Sequence, residues 1–196
     1  MTRITRMTCC LVLAAALAPP PTSAAPPARP SPAVTSAPAP VISAESALDA
    51  PAGWHVRRET RPDHVALFIT KENIQTNGGF LTGLSINSNA RFQARQKIAP
   101  LDYARGIAQV AKAGHARSSL SEVMVAPDLH VVEVAVIDDT RLPETDLVFL
   151  YVADARADTV HQVTFETPSA IREAEWPHGT RLIKEFIQLV ANGRLP

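Results

Sequence analysis

Residues 146–167 read DLVFLYVADARADTVHQVTFET and contain two apolar runs separated by a short polar segment. Both runs, 146–154 and 159–167, contain β-branched and aromatic residues throughout, and together with the period-two alternation of the domain this composition is typical of β-strands. The segment between them carries the aspartates that often mark turns. The stretch therefore predicts an antiparallel β-hairpin.

The same alternation recurs along the chain and predicts a sheet of strands that are mostly adjacent in sequence. Further strands are predicted at 55–59, 64–72, 79–87, 119–126 and 129–139, and helical spacing appears at 99–114 and 178–193. Pro100 suits the first turn of the first helix, and Gly114 and Gly193 suit the two helix ends. An additional helical turn is predicted from Thr167, as its cap, toward Trp176. The order β-β-β-α-β-β-β-β-α predicts an α+β domain with a central antiparallel sheet flanked by helices.

The N-terminus has the features of an export signal. Arg3 and Arg6 precede an apolar run of ten residues at 9–18, and small residues follow it. We expect cleavage after Ala24, so that residues 1–24 are a signal peptide and the mature protein lacks Cys9 and Cys10. Because a spanning helix needs roughly 20 apolar residues, no membrane span is expected in the mature protein.

A proline-rich stretch follows the signal. Residues 19–51 hold ten of the seventeen prolines and almost no large apolar side chains, a composition that cannot bury enough surface to offset its ordering entropy. We therefore predict a disordered Pro/Ala-rich linker at 25–51. A single globular domain is expected at 52–196.

The charge balance restricts the classes of partner. The chain has 19 basic and 19 acidic residues, whereas proteins that bind nucleic acid usually present a basic face. No nucleic-acid partner is expected. The sequence does not specify an oligomeric state.

The glycines of residues 67–87, LFITKENIQTNGGFLTGLSIN, do not match a phosphate-binding loop. Such a loop lies between a strand and a helix with G-x-G-x-x-G or G-x-x-x-x-G-K-[ST] spacing, whereas both flanks here have strand character. Asn77-Gly78 instead predicts a hairpin turn between two strands. Gly83, inside the second of these strands, predicts a bulge or a close approach by another backbone.

Two sets of polar residues are candidate sites. A binding surface is predicted around the first hairpin and its neighbour, comprising Lys71, Glu72, Asn73, Asn87, Asn89 and Arg91. The alternative is a metal site at Asp154, Asp158 and His161, which offer oxygen and nitrogen ligands, although aspartates at this position also suit the polar tip of a hairpin. No nucleophile motif of the G-x-S-x-G type occurs, and no cofactor is expected.

The domain resembles the Mog1/PsbP-like superfamily over roughly residues 52–192. The resemblance rests on LFITKEN leading into FLTGLSIN, on LDYARGIAQVAKAG, and on the ending VTFETP…EW…LIKEFIQLV, with mostly structural residues such as Trp54, Phe68, Tyr103 and Trp176. It implies an antiparallel sheet between helices in an α/β/α sandwich. Members of that superfamily tend to be accessory proteins, among them exported bacterial envelope proteins, and they share no catalytic motif that could be carried over.

These features together predict an exported, non-catalytic accessory or binding protein of the bacterial cell envelope. Its partner is expected to be an envelope protein or a small envelope component, met in the periplasm or after secretion. The alternative is a metal-dependent hydrolase or a small-ligand-binding protein that uses the 154–161 hairpin.

Overall fold

The computed structural model describes residues 48–194, except for the side chains of residues 76 and 77, and these residues belong to one compact unit. The predicted signal peptide and nearly all of the predicted linker lie outside the described residues. The described part contains seven strands: β1 (His55–Arg61), β2 (His64–Thr70), β3 (Gly83–Asn89), β4 (Ser118–Ala126), β5 (Leu129–Asp138), β6 (Thr145–Asp154) and β7 (Thr159–Pro168). Its helices are α1 (Ile74–Asn77), α2 (Phe92–Gln96), α3 (Pro100–Ala113) and α4 (Arg172–Ala191).

All seven strands form one antiparallel sheet in the order β1-β2-β3-β7-β6-β5-β4. The predicted α+β class and the order of the strands and of the two long helices are confirmed. Within residues 48–194, the sheet departs from simple sequential pairing only between β3 and β7, which lie side by side although α3 and three strands separate them in the chain.

The two long helices cover opposite faces of the sheet. On β5 and β6, Val132, Val134 and Tyr151 pack in one cluster with Ala104 and Ala108 of α3. Side chains on the other face of the same two strands belong to a second cluster. There Val131, Val148, Leu150 and Val152 pack with Leu182, Phe186 and Val190 of α4. Successive side chains of a strand point to opposite faces, so the central strands are buried on both sides.

The connection between β2 and β3 differs from the predicted hairpin, which was wrong in this detail. Residues 74–77 form the short helix α1, whose N-cap Asn73 accepts a hydrogen bond from the Gln75 amide at 3.0 Å. Gly78 has a φ of 69° and ends this helix, so its left-handed conformation serves as a helix C-cap instead of a two-residue hairpin turn. β3 therefore begins at Gly83, and Phe80 lies outside the strand.

Gly83 confirms the predicted close approach of two backbones. A Cβ atom at this position would lie 2.7 Å from Cγ2 of Thr70 and 2.9 Å from the carbonyl oxygen of Ile69 on β2. Only glycine fits this contact between β2 and β3 without a shift of the backbone.

The additional helical turn predicted toward Trp176 is confirmed, but its predicted start and cap at Thr167 are wrong. Thr167 is buried within β7, where its Oγ1 lies 3.2 Å from Oγ1 of Thr82, so it caps no helix. A 3-10 turn at Ser169–Ile171 follows, and α4 then runs from Arg172 through Pro177 to Ala191 without interruption.

The contacts of the folded domain begin before residue 52. Leu48 is buried in the cluster beneath α4, and Arg181 on that helix donates a hydrogen bond to the carbonyl oxygen of Asp49 at 2.7 Å. At least residues 48 and 49 therefore pack as part of the domain. Across the described part of the chain, no helix combines the length and apolar character needed to cross a membrane.

Candidate functional site

A polar cleft lies beside β3 and β7 on the face of the sheet that α3 covers. Its volume is about 370 Å³, close to the lower end of the range for small-molecule pockets. We call it the carboxamide cleft because its lining includes the side-chain amides of two asparagines and two glutamines. Its lining residues are His64, Asn87, Asn89, Phe92, Gln96, Tyr103 and Gln162.

The paired strands β2, β3 and β7 form the floor of the cleft. Asn87 on β3 pairs directly with Gln162 on β7, and Asn89 pairs with His64 on β2. Asn87 and Asn89 are two residues apart on one strand, so both side chains point to the same face. Three strands thus bring four polar side chains together, and two of these strands meet only through the non-sequential pairing of β3 with β7.

Helices α2 and α3 form the wall. The rings of Phe92 on α2 and Tyr103 on α3 lie 4.7 Å apart at an interplanar angle of 52°. Phe92 is buried, so it also anchors the short helix α2 to the domain. Gln96, one turn further along α2, is exposed and lines the opening.

The tip of the β6–β7 hairpin holds α2 in position. The carbonyl oxygen of Asp158 accepts a hydrogen bond from the Phe92 amide at 2.8 Å. The Asp158 carboxylate also accepts hydrogen bonds from the amides of Gln93 at 2.6 Å and Ala94 at 3.3 Å. These donors belong to the first turn of α2, where backbone amides have no partner within the helix. Asp158 therefore caps α2 from a distant part of the sequence.

The side chains of the cleft are only partly bonded to each other. Nδ1 of His64 lies 3.2 Å from Oδ1 of Asn89, and Nε2 of Gln162 donates to the hydroxyl oxygen of Tyr103 at 2.9 Å. The amides of Asn87 and Gln96 make no side-chain hydrogen bond to any described residue, and Asn87 is half-buried. The cleft therefore offers free donors and acceptors, and no aspartate, glutamate, lysine or arginine of the described chain lines it.

The structure divides the predicted binding set into two groups. Asn87 and Asn89 line the cleft, and Arg91 follows them, where its Nε donates to Oδ1 of Asp63 at 2.7 Å. Lys71, Glu72 and Asn73 lie at the other end of the β2–β3 pair, near Gly83. Six residue steps of about 3.3 Å along β3 separate the two ends, so the six residues do not form one surface.

Lys71 and Glu72 have structural partners of their own. The Lys71 ammonium forms an ion pair with Glu175 of α4. The Glu72 carboxylate accepts hydrogen bonds from the amides of Leu81 at 3.1 Å and Thr82 at 3.2 Å, which closes the loop after α1. These two side chains therefore stabilise the connection between β2 and β3.

The three residues of the metal alternative are each engaged in a separate contact. The Asp158 carboxylate accepts hydrogen bonds from amides of α2, as described above. The Asp154 carboxylate accepts a hydrogen bond from the Ala157 amide at 2.9 Å and lies 3.5 Å from the Arg156 guanidinium. His161 is buried, with Nδ1 at 2.8 Å from Oγ of Ser88. No group of three or more histidine, cysteine or acidic side chains suited to a metal ion occurs among residues 48–194.

His161 is a buried titratable group on the face of α4. Its ring meets the ring of Phe186 edge to face at 5.3 Å, and its Nε2 has no hydrogen-bond partner. Burial lowers the pKa of His161 from 6.5 to about 4, and the nearby Asp154 carboxylate opposes this shift. The imidazole is therefore neutral at physiological pH.

A second cavity, apolar in character, lies on the opposite face of the sheet, between α4 and the edge strand β4. It has a volume of about 340 Å³ and is lined chiefly by Val123, Val125, Val131, Ile183 and Ile187. α4 packs mainly over β3, β6 and β7, and Val123 and Val125 of β4 remain exposed. Its lining also includes Glu133, Thr180 and Lys184, but no asparagine or glutamine.

Sequence reasoning found two residues of the cleft and missed the other five. His64, Phe92, Gln96, Tyr103 and Gln162 come from four different elements, and only the strand register and the docking of α2 bring them together. Comparison with protein-family models gives no match to this sequence. No curated protein matches it significantly.

Proposed function

We propose that this protein is an exported, non-catalytic accessory protein of the bacterial cell envelope, and that it binds an uncharged envelope component in the carboxamide cleft. The observation that carries this proposal is the pair of unbonded amides, Asn87 on β3 and Gln96 on α2, in a cleft whose described lining contains no aspartate, glutamate, lysine or arginine. A small number of convergent polar groups in a concave site is typical of binding pockets. Membership of the Mog1/PsbP-like superfamily is part of the proposal, supported by a long helix on each face of the sheet.

The chemistry of the cleft favours binding over catalysis. Carboxamides neither donate nor accept a proton at ordinary pH, so they orient a ligand without acting as general acids or bases. His64 is the one imidazole among the described lining residues, and its Nδ1 faces the amide of Asn89 instead of a carboxylate that would activate it. The site is therefore suited to holding a ligand.

Export is the second part of the proposal, and it rests on the pattern of residues 1–24. The Pro/Ala-rich segment between the cleavage site and Leu48 would separate the domain from the membrane during translocation. N-terminal sequencing of the protein recovered from its host envelope tests this directly. A mature chain that begins at Ala25 is the expected result, and a chain retained with Met1 in the cytoplasm would contradict export.

Binding is tested by equilibrating the purified protein with an extract of its own envelope and identifying retained molecules by native mass spectrometry. We expect one uncharged component to be retained by the wild type and lost from Asn87→Leu, which removes the free amide and keeps the branched shape and the number of heavy atoms of the side chain. Gln188→Leu is the matched control, because it removes an exposed amide from α4 on the opposite face of the sheet. Equal retention by Asn87→Leu, or turnover of an envelope substrate, would count against the proposal.

A further inference from the structure

We propose that the ligand of the carboxamide cleft is a neutral saccharide of one or two sugar units. This inference rests on the proposed function and identifies the chemical class that the site recognises. It is drawn from the donor and acceptor pattern of the lining, its lack of charge, its aromatic wall and its volume.

The donor and acceptor pattern matches hydroxyl groups. Each carboxamide offers an N–H₂ donor beside a carbonyl acceptor, and each sugar hydroxyl donates one hydrogen bond and accepts others. The free amide of Asn87 lies on the sheet floor, and that of Gln96 lies on the α2 wall, so a ligand between them meets both kinds of group on two sides. The hydroxyl of Tyr103, which already accepts from Gln162, keeps its own proton to donate.

The absence of lining charge selects against ionised ligands. A carboxylate or an ammonium that enters the cleft loses water and finds no aspartate, glutamate, lysine or arginine among the described lining residues. Among the cations close to the cleft in sequence, the Arg91 guanidinium donates two hydrogen bonds to the Asp63 carboxylate, and the Lys97 ammonium donates one to the carbonyl oxygen of Ala94. Neutral sugars therefore have the advantage over uronic acids and amino sugars.

The aromatic wall and the volume favour a sugar over a peptide segment. The partly exposed ring of Tyr103, which packs against the buried Phe92, supplies an apolar surface against which the C–H face of a pyranose ring can pack. An extended peptide gains affinity from main-chain pairing at a sheet edge and from separate side-chain pockets. The strands under the cleft are interior strands that are already paired on both sides, and about 370 Å³ is near the smallest size of a ligand pocket.

The test uses the protein expressed from its full sequence and follows the side-chain amide resonances of the asparagines and glutamines by NMR. The probes are glucose and cellobiose, their charged counterparts glucuronic acid and glucosamine, and the uncharged peptide N-acetyl-triserine amide. We expect saturable shifts of the Asn87 and Gln96 resonances with a neutral sugar, and binding of the charged sugars at least about ten-fold weaker. Asn87→Leu and, separately, Gln96→Ala should each weaken sugar binding about ten-fold, whereas Gln188→Leu should leave it unchanged.

Two variants keep the test decisive, because Gln96 is exposed on α2 and its replacement leaves the sheet intact even if Asn87→Leu perturbs folding. Equal affinity for charged and neutral sugars, or no response to any sugar, overturns the saccharide inference. If only the peptide shifts the cleft resonances, the saccharide inference fails while the proposed binding function stands. If a retained envelope component leaves these resonances unmoved, the proposed function fails with it.

Discussion

The ring of Phe165 on β7 lies directly against the backbone of Gly179 on α4. A Cβ atom at Gly179 would fall 2.5 Å from two ring atoms of Phe165, closer than real side-chain contacts allow. Phe165 is buried and also meets Trp176 edge to face at 5.4 Å, so the ring has little room to move. The missing side chain at Gly179 therefore sets how closely α4 approaches the sheet.

Gly179→Ala should destabilise the protein even though alanine is the better helix former. The gain in helix propensity is about 1 kcal/mol, and the overpacking against Phe165 costs about 1–3 kcal/mol. We expect a lower midpoint in urea denaturation. The matched control is Gly106→Ala in α3, where a new Cβ meets nothing within 4 Å, and this change should raise stability by roughly 0.5–1 kcal/mol. Equal effects of the two substitutions on stability would show that the Phe165 ring moves aside at little cost in free energy.

Lys71→Met should destabilise the domain because it removes the cation that pairs with Glu175. The side chain of Glu175 is only 10% exposed, whereas that of Lys71 is 47% exposed, so the lost pair leaves a nearly buried carboxylate without its cation. Because the lysine is half in solvent, we expect a loss of about 1 kcal/mol. Glu175→Gln in the Lys71→Met background should recover part of it. A double-mutant cycle that gives no coupling energy would contradict this reading of the pair.

Asp158→Ala should loosen the wall of the carboxamide cleft. The substitution removes the carboxylate that accepts from the amides of Gln93 and Ala94, and it places alanine at a φ of 50°, which aspartate tolerates better. We expect a loss of about 1–2 kcal/mol and faster amide hydrogen exchange in α2. Asp158→Asn keeps one acceptor oxygen and the backbone tolerance, so its effect should be smaller. Unchanged exchange in Asp158→Ala would show that the buried Phe92 ring and the backbone hydrogen bond to residue 158 anchor α2 without the carboxylate.

The order of the elements could be predicted from sequence because each long element carries its own pattern. β5 and β7 alternate along their length, β6 has a continuous apolar centre of strand length, and the spacing of Leu182, Phe186 and Val190 is helical. Helix α2 could not be predicted in this way. It has five residues and a single buried side chain, and the cap that stabilises it comes from Asp158, more than sixty positions away.

The cleft was harder to predict because it depends on which strands are neighbours. Asn87 and Gln162 meet only because β3 pairs with β7, and no local pattern specifies that pairing. For the same reason the predicted binding set joined residues from both ends of the β2–β3 pair. The residues from Lys71 to Arg91 are close in sequence, but the two groups lie at opposite ends of β3.

His161 should make the stability of the protein fall as the pH is lowered from about 6.5 toward 4. The pKa of His161 is about 4 in the folded protein and about 6.5 in the unfolded chain. Between these values the unfolded state binds the additional proton, so acidification favours unfolding. The whole effect amounts to about 3 kcal/mol, and below the folded pKa it levels off. Urea denaturation at a series of pH values measures the slope.

The contribution of His161 is separated from those of other groups by substitution. His161→Leu replaces a ring that packs on Phe186 and gives up the contact of Nδ1 with Ser88, so it should change stability at neutral pH and flatten the slope between pH 6.5 and 4. The matched control is His55→Gln at an exposed position of β1, which keeps the buried imidazole in place. If His161→Leu retains the full slope, the protonation that destabilises the fold belongs to another residue.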